Sequence, residues 1–480
     1  MGPNAIPESV RCGAARRIHL IAICGVAMSA LAGMLKARGY DVSGSDENVY
    51  PPMSTVLERL GIRIRPGFGA ENLDDRPDLV VVGNKVSRTN PEVEALLAGD
   101  LPYVSLPQAL AELFIADRRS VVVAGTHGKT TSTALLGWVL EHAGYDPSLM
   151  VGGEALNFAG NYKLGHGAHV VLEGDEYDTA FFDKGPKFLH YRPQALLLTA
   201  VEFDHADIYR DLEHVKQAFR RLTALLPSGA PLAVASDFPH ARDVVRDRPD
   251  AQMFGSGDEA EWQILDLRDD GTLSTFEIAH RGVVLCTARL PQPGAINARN
   301  ALGVFVIARA LGLTAAQILP GLATFRGVAR RQELVGAFRG VTVVDDFAHH
   351  PTAVAGAIAA VRLRYPGRLW AVFEPRSNTS RRKVFQREYV DAFAAAGEVI
   401  IGGVFQKQTD AVAEDELFSP EQLAQDLVAR GTAARTLADA DAIAAALADE
   451  ARPGDVILLM SNGSFGGLRE KLRTRLDAPR

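Results

Sequence analysis

Hydrophobic and polar positions along the first part of the chain alternate between strand and helix patterns. Apolar runs of strand length occur at residues 18–24, 40–46, 78–84 and 102–106. Apolar side chains at helical spacing occur at residues 28–39, 53–60 and 91–98. This order predicts a parallel α/β sheet of Rossmann type. Residues 1–15 show neither pattern and are expected to form a loose tail.

The middle of the chain begins with a similar alternation and then changes. Strands are predicted at residues 121–123, 168–172 and 195–201, and an amphipathic helix at 211–226. Alternating residues between Trp262 and Leu290, with an Asp-Asp-Gly turn at 269–271, indicate an antiparallel layer. A further helix is predicted to start at Gly294.

The last part of the chain returns to an α/β alternation. Strands are predicted at residues 341–344, 369–373, 399–401 and 455–460, with a helix through 354–363. The fold class is therefore α/β with three domains: a Rossmann-like N-terminal domain, a central phosphate-loop domain carrying an antiparallel β layer, and a Rossmann-like C-terminal domain. We expect their boundaries at residues 1–118, 119–328 and 329–480.

Composition narrows the class of protein without indicating a fold. A chain of 480 residues is too long for one core, and 47% hydrophobic with 23% charged residues is ordinary for a globular protein. The net charge of −7 gives no reason to expect nucleic acid or an anionic membrane as a partner. Three widely spaced cysteines indicate a reducing compartment without a disulfide framework.

Residues 16–35 could be mistaken for a targeting segment, because two arginines precede a largely apolar run. His19, Gly25, Ser29 and Gly33 interrupt that run, and another strand pattern follows directly. No other run is long enough to span a bilayer. We therefore expect a cytoplasmic protein.

The segment GTHGKTT at residues 125–131 is the clearest chemical signal. A β-branched strand runs into it and helical composition follows, which is the context of a phosphate-binding loop. Lys129 would reach the outer phosphates and the Thr130 hydroxyl would bind Mg²⁺. Val123 stands where the common motif has its first glycine, so this is a shortened variant. The alternative is a surface glycine turn with an incidental lysine.

Two further predicted strands of the central domain end in polar residues. Glu173 follows one strand and is the acid nearest its end, where a Mg²⁺ ligand is expected. His205 follows another, although a lone histidine is usually only a satisfied polar residue. Beyond them, Asn297 and Asn300 share one helix face, and Arg330 and Arg331 are adjacent cations on a linker; capping and solvated charge are the alternatives.

The flanking domains carry weaker signals. In the first, only Gly25 stands in the opening strand-to-helix turn, and Asp46 ends the second strand, where an acid would bond a ribose hydroxyl; a structural strand end is equally compatible. In the third, strand ends lead into residues 345–352, 374–379 and 461–467. These loops indicate a second substrate site. Two substrates joined at the expense of ATP would account for all three domains, whereas a regulatory or transport ATPase would not need the third.

These motifs, taken in order, resemble the Mur ligase family over nearly the whole chain, from about residue 17 to 476. The matching segments are GTHGKTT at 125–131, EGDEYD at 173–178, EFDHAD at 202–207, N-x-x-N at 297–300, RRQE at 330–333 and DDFAHHPT at 345–352. Within the family, NVYPPMS at 48–54, FFDKGPKF at 181–188, EPRSNT at 374–379 and SNGSFGG at 461–467 look most like the members that add a tripeptide. Members that add L-alanine look similar in the first two domains.

The resemblance implies a ligase that uses ATP and Mg²⁺ to activate the carboxylate of UDP-N-acetylmuramate as an acyl phosphate, which the amine of the murein tripeptide L-alanyl-γ-D-glutamyl-meso-diaminopimelate then attacks. Implied catalytic residues are Lys129, Glu173, His205 and Arg331, with Thr130, Glu173 and His205 around the metal. Implied nucleotide-binding residues are Gly125, Thr126, His127, Gly128, Lys129, Thr130, Thr131, Asn297, Arg331, Asp346 and His349.

For the other substrates, Gly25, Ser29 and Asp46 are the candidates for the UDP-sugar and Arg376, Ser377 and Asn378 for the tripeptide. An arginine fork suits a carboxylate. The chain departs from the family pattern at Ala200, at Ile296, and at Ala22 and Ala27 in the first turn.

Overall fold

The computed structural model describes residues 5–49, 53–405 and 412–477. Three sheets of five, ten and six strands follow one another along the chain, and a separate two-stranded hairpin lies within the central part. This is the predicted three-domain α/β architecture. The predicted boundaries after residues 118 and 328 fall between the sheets. Residues 50–52 of the NVYPPMS segment lie outside the described residues.

The N-terminal sheet is entirely parallel, with strand order β3-β2-β1-β4-β5. Its strands are β1 (Arg17–Ile21), β2 (Asp41–Asp46), β3 (Arg63–Pro66), β4 (Leu79–Val82) and β5 (Tyr103–Ser105). Its helices are α1 (Glu8–Arg11), α2 (Val26–Ala37), α3 (Met53–Arg59), α4 (Pro91–Ala98) and α5 (Leu106–Leu110), which continues as a π-helical turn over Ala111–Ile115. Asn90 caps α4 by accepting from the backbone N–H of Glu92 and Val93.

The expectation of a loose N-terminal tail is wrong for the described residues. Ile6 and Val10 are buried, and the Tyr40 hydroxyl donates to the Val10 carbonyl at 2.8 Å. One buried side chain just before this short helix and one within it are too few to produce a recognisable period, so the pattern missed them.

The central sheet has the strand order β17-β16-β15-β14-β13-β12-β6-β9-β7-β8. Its strands are β6 (Arg119–Ala124), β7 (Ser148–Ala155), β8 (Gly160–Lys163), β9 (His169–Gly174), β12 (Ala195–Leu198), β13 (Leu232–Ala235), β14 (Gln252–Gly255), β15 (Trp262–Asp269), β16 (Ser274–His280) and β17 (Val283–Leu290). The separate hairpin is β10 (Asp178–Ala180) with β11 (Asp183–Pro186). Strands β15 to β17 pair antiparallel, as the alternating pattern predicted.

The helices of the central part cover this sheet. They are α6 (Lys129–His142), α7 (Leu212–Leu225), α8 (Pro239–Val244), α9 (Ala295–Ala310) and α10 (Ala315–Ala323). Strands β6, β9 and β12 lie side by side and parallel. Residues 125–131, 175–176 and 199–205, which come directly after these strands, therefore all lie at the same edge of the sheet.

The C-terminal sheet has the order β18-β19-β23-β20-β21-β22, in which only β18 is antiparallel to its neighbour. Its strands are β18 (Glu333–Phe338), β19 (Val341–Asp346), β20 (Leu369–Phe373), β21 (Glu398–Gly402), β22 (Ala433–Leu437) and β23 (Val456–Met460). Its helices are α11 (Pro351–Arg364), α12 (Glu388–Ala392), α13 (Pro420–Ala429), α14 (Ala440–Glu450) and α15 (Leu468–Asp477). Apolar clusters cover both faces of this sheet.

The three parts of the chain are in direct contact. One continuous core includes buried residues of both the N-terminal and central sheets. The Asn161 amide donates to the Val26 carbonyl at 2.9 Å across that junction. On the other side, Ile296 of α9 packs against Gly356 of α11, where a Cβ would lie 1.8 Å from the isoleucine Cδ1. Among the described residues, no helix is both long and apolar enough to cross a bilayer.

Candidate active site

The loop of residues 125–131 joins β6 to α6 and is fixed by the segment that follows β12. Thr126 donates its backbone N–H to the Ala200 carbonyl at 2.9 Å, and its hydroxyl donates to the Glu202 carbonyl at 3.1 Å. The Glu202 N–H in turn donates to that hydroxyl at 2.9 Å. The helix then begins at Lys129, so the N–H groups of its first turn and the positive end of its dipole lie at the loop.

Two glycines are required in this loop for conformation and space. Gly125 has φ +135° and Gly128 has φ +80°. A Cβ at Gly125 would lie 2.4 Å from the Thr199 hydroxyl oxygen and 2.7 Å from the Ala200 backbone N and O. A Cβ at Gly128 would lie 2.6 Å from the Asn300 side-chain oxygen, which places the second asparagine of the N-x-x-N pair against the loop.

We therefore expect Gly125→Ala to lower the free energy of unfolding by about 2–5 kcal/mol, through backbone strain and overpacking together. Gly144→Ala is the matched control, because Gly144 has φ +81° with no atom within 4 Å of the added Cβ. The control is expected to cost only the strain, about 1–2 kcal/mol. Denaturant unfolding of both variants checks this, and equal losses would contradict it.

The ammonium group of Lys129 contacts the buried carboxylate of Glu176. Its Nζ lies 2.8 and 2.9 Å from the two oxygens of Glu176, and His205 Nε2 donates to the same carboxylate at 3.0 Å. Burial opposes the charge on Lys129, but Glu176 and the neighbouring acids outweigh it and raise the lysine pKa. Burial likewise opposes charge on His205, yet Asp204 and Glu176 raise its pKa to about 9. The row Lys129–Glu176–His205 is therefore a buried network of charges, and sequence reasoning did not single out Glu176.

Glu173, at the carboxyl end of β9, lies beside Thr130. Its carboxylate accepts from the Thr130 hydroxyl at 3.0 Å and from the Gly152 N–H at 2.6 Å. Arg331 donates to the same Thr130 hydroxyl at 3.2 Å, which brings the linker to the phosphate loop. Hydroxyl and carboxylate oxygens are the ligands that Mg²⁺ prefers, so the side chains of Thr130 and Glu173 fit that ion. His205 contacts Glu176 instead, and its place around a metal stays a prediction.

The other nucleotide candidates lie where the central part meets the C-terminal part. Asp346 accepts from the N–H groups of Gln332 and Ala348 at 2.9 and 2.7 Å, and the Arg331 guanidinium lies 4.9 Å from the Phe347 ring centre. The Asn297 amide donates to the Pro293 carbonyl at 2.9 Å within its own helix N-terminus.

His349 connects the same region to the loop after β12. Its Nε2 lies 3.7 Å from Asp204 and its Nδ1 donates to the Phe347 carbonyl at 3.0 Å. Asp204 also accepts from the Thr379 hydroxyl at 2.6 Å, so it binds two segments of the C-terminal part.

The tripeptide candidates have three different surroundings. Arg376 is partly exposed, with its guanidinium 3.8 Å from the Phe405 ring centre and 3.5 Å from Glu374. Ser377 is buried, and its hydroxyl donates to Ser380 Oγ at 2.8 Å. Asn378 donates to Asp207 of the central part. Of the three, only Arg376 directs a charged group toward an accessible surface.

The first turn of the N-terminal sheet is held by Asp46. Its carboxylate accepts from the N–H groups of Cys24 and Asn48, both at 2.9 Å. Gly25 caps α2, and the Ser29 hydroxyl donates to the Val26 carbonyl at 2.9 Å. Ala22 adopts φ +65°, a conformation usually taken by glycine, in the turn where the sequence has fewer glycines than expected.

Burial, together with the charge of Asp46, raises the pKa of the Cys24 thiol to about 11. Because only the thiolate reacts, this higher pKa lowers the reactive fraction of Cys24 at pH 8 about a hundredfold. We expect iodoacetamide at pH 8 to label the exposed Cys12 well before Cys24. Mass spectrometry of timed samples checks this, and equal labelling rates would contradict it.

Three of the residues that depart from the family pattern, Ala200, Ile296 and Ala27, are accommodated by packing. Ala200 is buried and contributes only its backbone to the phosphate loop. Ile296 fills the space above Gly356, and Ala27 packs partly buried against the core of the N-terminal and central sheets. The hydrogen bonds of Lys129 and Glu173 described above involve none of these residues.

Comparison with known families accounts for the three parts of the chain in order. Residues 17–118 match the Mur ligase family, catalytic domain; residues 123–308 match the Mur ligase middle domain; and residues 330–463 match the Mur ligase, glutamate ligase domain.

Individual relatives match over almost their full length. The UDP-N-acetylmuramate–L-alanyl-γ-D-glutamyl-meso-2,6-diaminoheptandioate ligase of Escherichia coli K12 is 39% identical over 95% of this chain and 97% of its own. The UDP-N-acetylmuramate–L-alanine ligase of Syntrophus aciditrophicus is 32% identical over 96% of this chain and 94% of its own. A crystal structure of a murein peptide ligase from Psychrobacter arcticus 273-4 is 32% identical, with a TM-score of 0.72, and covers 96% of this chain and 99% of that one. The chain belongs to the Mur ligase family.

Proposed function

We propose that this protein is an ATP-dependent ligase that joins UDP-N-acetylmuramate to the tripeptide L-alanyl-γ-D-glutamyl-meso-diaminopimelate, in peptidoglycan recycling. The observation that carries the proposal is the 39% identity to a ligase of that name over 95% of the chain. The relative named for L-alanine is less similar, at 32%. We expect the reaction to take place in the cytoplasm, in agreement with three free cysteines.

The chemistry needs a carboxylate oxygen of the muramoyl group to attack the γ-phosphorus of ATP. The bond from that phosphorus to the β-phosphate oxygen breaks, ADP leaves, and an acyl phosphate remains. The amine of the tripeptide then adds to the acyl carbon, and the tetrahedral intermediate expels phosphate to leave an amide. Negative charge grows on the transferring group, so fixed cations and N–H donors are the main requirement. We assign this role to Lys129 and the N–H groups at the start of α6.

Arg331 would stabilise the same charge from the C-terminal side, since it already donates to Thr130 at the phosphate loop. Asp346 and Asn297 would hold the nucleotide between α9 and the C-terminal sheet. Thr130 and Glu173 would hold Mg²⁺, which when bound neutralises charge on the phosphates. The N-terminal part would bind the UDP-sugar near Gly25, Ser29 and Asp46, and Arg376 would bind a carboxylate of the tripeptide.

The decisive experiment measures phosphate release from ATP with UDP-N-acetylmuramate and one of two acceptors. We expect release with the tripeptide and little with L-alanine. Release with L-alanine alone would identify an alanine ligase instead. ATP binding without substrate-stimulated release under either condition would indicate a nucleotide-dependent switch protein, and would overturn the ligase proposal.

A further inference from the structure

Three side chains of metal-ligating types meet between the phosphate loop and the C-terminal sheet, apart from the Mg²⁺ ligands assigned above. They are His127 of the loop, Glu202 after β12, and His350 before α11. His127 Nε2 lies 2.8 Å from a Glu202 carboxylate oxygen, and the rings of His127 and His350 have their centres 4.3 Å apart. One ligand atom from each residue lies within 4.8 Å of the other two.

We propose that His127, Glu202 and His350 form a binding site for a divalent transition metal of the zinc type, distinct from the Mg²⁺ site proposed at Thr130 and Glu173. Two imidazoles and one carboxylate are a ligand set that Zn²⁺ accepts with a fourth position left for water. Mg²⁺ prefers oxygen ligands, so the two histidines discriminate against it.

Neighbouring groups hold the ligands in position. His350 Nε2 donates to the Phe203 carbonyl at 3.2 Å, which fixes the tautomer and leaves the lone pair on Nδ1. The Thr352 hydroxyl donates to Glu202 Oε1 at 3.1 Å. The Thr352 N–H reaches His350 Nδ1 over 3.3 Å, a long contact that a metal at Nδ1 would replace.

The geometry requires only a small rearrangement. Bonds of about 2.1 Å in a tetrahedral site place ligand atoms roughly 3.4 Å apart. The 2.8 Å between His127 and Glu202 would therefore widen by roughly 0.6 Å. The other separations, which are at most 4.8 Å, would close by no more than about 1.4 Å through side-chain rotation. A cavity of about 210 Å³ lined by Glu202, His350, His240 and Glu388, among others, gives the cluster an opening through which an ion and its water could enter.

A bound metal would tie the phosphate loop to the first turn of α11. The loop and Glu202 belong to the central part, whereas His350 belongs to the C-terminal part, so the metal would crosslink the two. Because the folded state alone presents all three ligands together, binding should also stabilise the protein against unfolding.

Cobalt titration of the nucleotide-free protein in excess Mg²⁺ tests the proposal. We expect one equivalent of Co²⁺ to bind with visible absorption bands, Zn²⁺ to displace it, and Mg²⁺ to have no effect. Zn²⁺ should also raise the melting temperature. Absence of a stoichiometric Co²⁺ signal, or displacement by Mg²⁺, would overturn the proposal.

Variants locate the site. His350→Gln and Glu202→Gln are each expected to weaken Co²⁺ binding at least about tenfold, and His350→Gln to abolish the stabilisation by Zn²⁺. His166→Gln, at a histidine whose side chain is 98% exposed, is the control for adventitious binding and should not change the affinity. His240→Gln should not change it either. A tenfold loss in the His240 variant, or none in the His350 variant with its fold verified by circular dichroism, would refute the assigned ligands.

Discussion

Replacing Lys129 with methionine is expected to reduce the turnover number at least about a thousandfold, because a fixed cation at a transferring phosphoryl group is worth that much or more. The side chain lies at the start of α6, buried against Glu176, and reaches the loop where phosphates are expected. Steady-state phosphate release with ATP, UDP-N-acetylmuramate and tripeptide measures the effect.

The same substitution also removes a charged partner from the buried carboxylate of Glu176. The resulting loss of stability must be measured separately from the loss of catalysis. We expect a fall in stability of up to about 3 kcal/mol, since Glu176 would keep only His205 as a charged partner. Lys129→Met combined with Glu176→Gln should recover most of that stability and none of the activity. Lys471→Met, at an exposed pair with Asp441, controls for loss of a lysine. Activity within tenfold of wild type in the folded Lys129 variant would refute the role.

Replacing Arg331 with methionine is expected to lower turnover about a hundredfold or more, because the guanidinium connects the C-terminal part to the phosphate loop. It donates to Thr130 and lies over the Phe347 ring beside Asp346. Arg331→Lys keeps the charge but loses the planar fork, so we expect an intermediate rate. Turnover and KM for ATP at saturating tripeptide separate a catalytic defect from weaker nucleotide binding.

Arg330, the adjacent cation, is the matched control, because it lies over the same Phe347 ring but has different hydrogen-bond partners. It donates to the carbonyl oxygens of Ser461 and Gly463, both at 2.7 Å, and to Asp345 at 3.1 Å, all within the C-terminal part. Arg330→Met should therefore lower stability by about 1–2 kcal/mol while the folded variant keeps its turnover within a few-fold. The reverse result, with Arg330 controlling turnover and Arg331 only stability, would contradict both assignments.

How far the sequence predicted the fold depended only in part on where each strand lies in its sheet. Interior strands such as β20 and β23 are buried on both faces and form continuous apolar runs, so they were placed within a residue or so. The interior strands β7, β13 and β14 were nevertheless missed, whereas the edge strand β5 was predicted. Strands β3, β18 and β22 were also missed, and each lies at an edge of its sheet. Their residues are mostly half-buried or exposed, so the apolar period that reveals a strand is absent.

The residues of the candidate site also differ in how far the sequence could predict them. Residues next to one another in a motif, such as Lys129 and Thr130, could be named because a loop between a strand and a helix has local sequence requirements. Glu176, Glu202 and His350 were not named, since their partners lie on other strands or in another part of the chain. Spacing along the sequence carries no information about such pairs. The four acids at residues 173–178 are an example. Position along the chain favoured Glu173 as a Mg²⁺ ligand, but it gave no sign that Glu176 pairs with Lys129.

The place of β23 in the C-terminal sheet has a consequence for how the protein is made. This strand, Val456–Met460, is the last strand of its sheet along the chain, yet it lies between β19 and β20 and pairs with both. Until it emerges from the ribosome, the two halves of that sheet have no partner along their facing edges. The nascent chain must therefore carry a divided C-terminal sheet until β23 has been made, and a chain that stopped just before residue 456 would keep the sheet split in two.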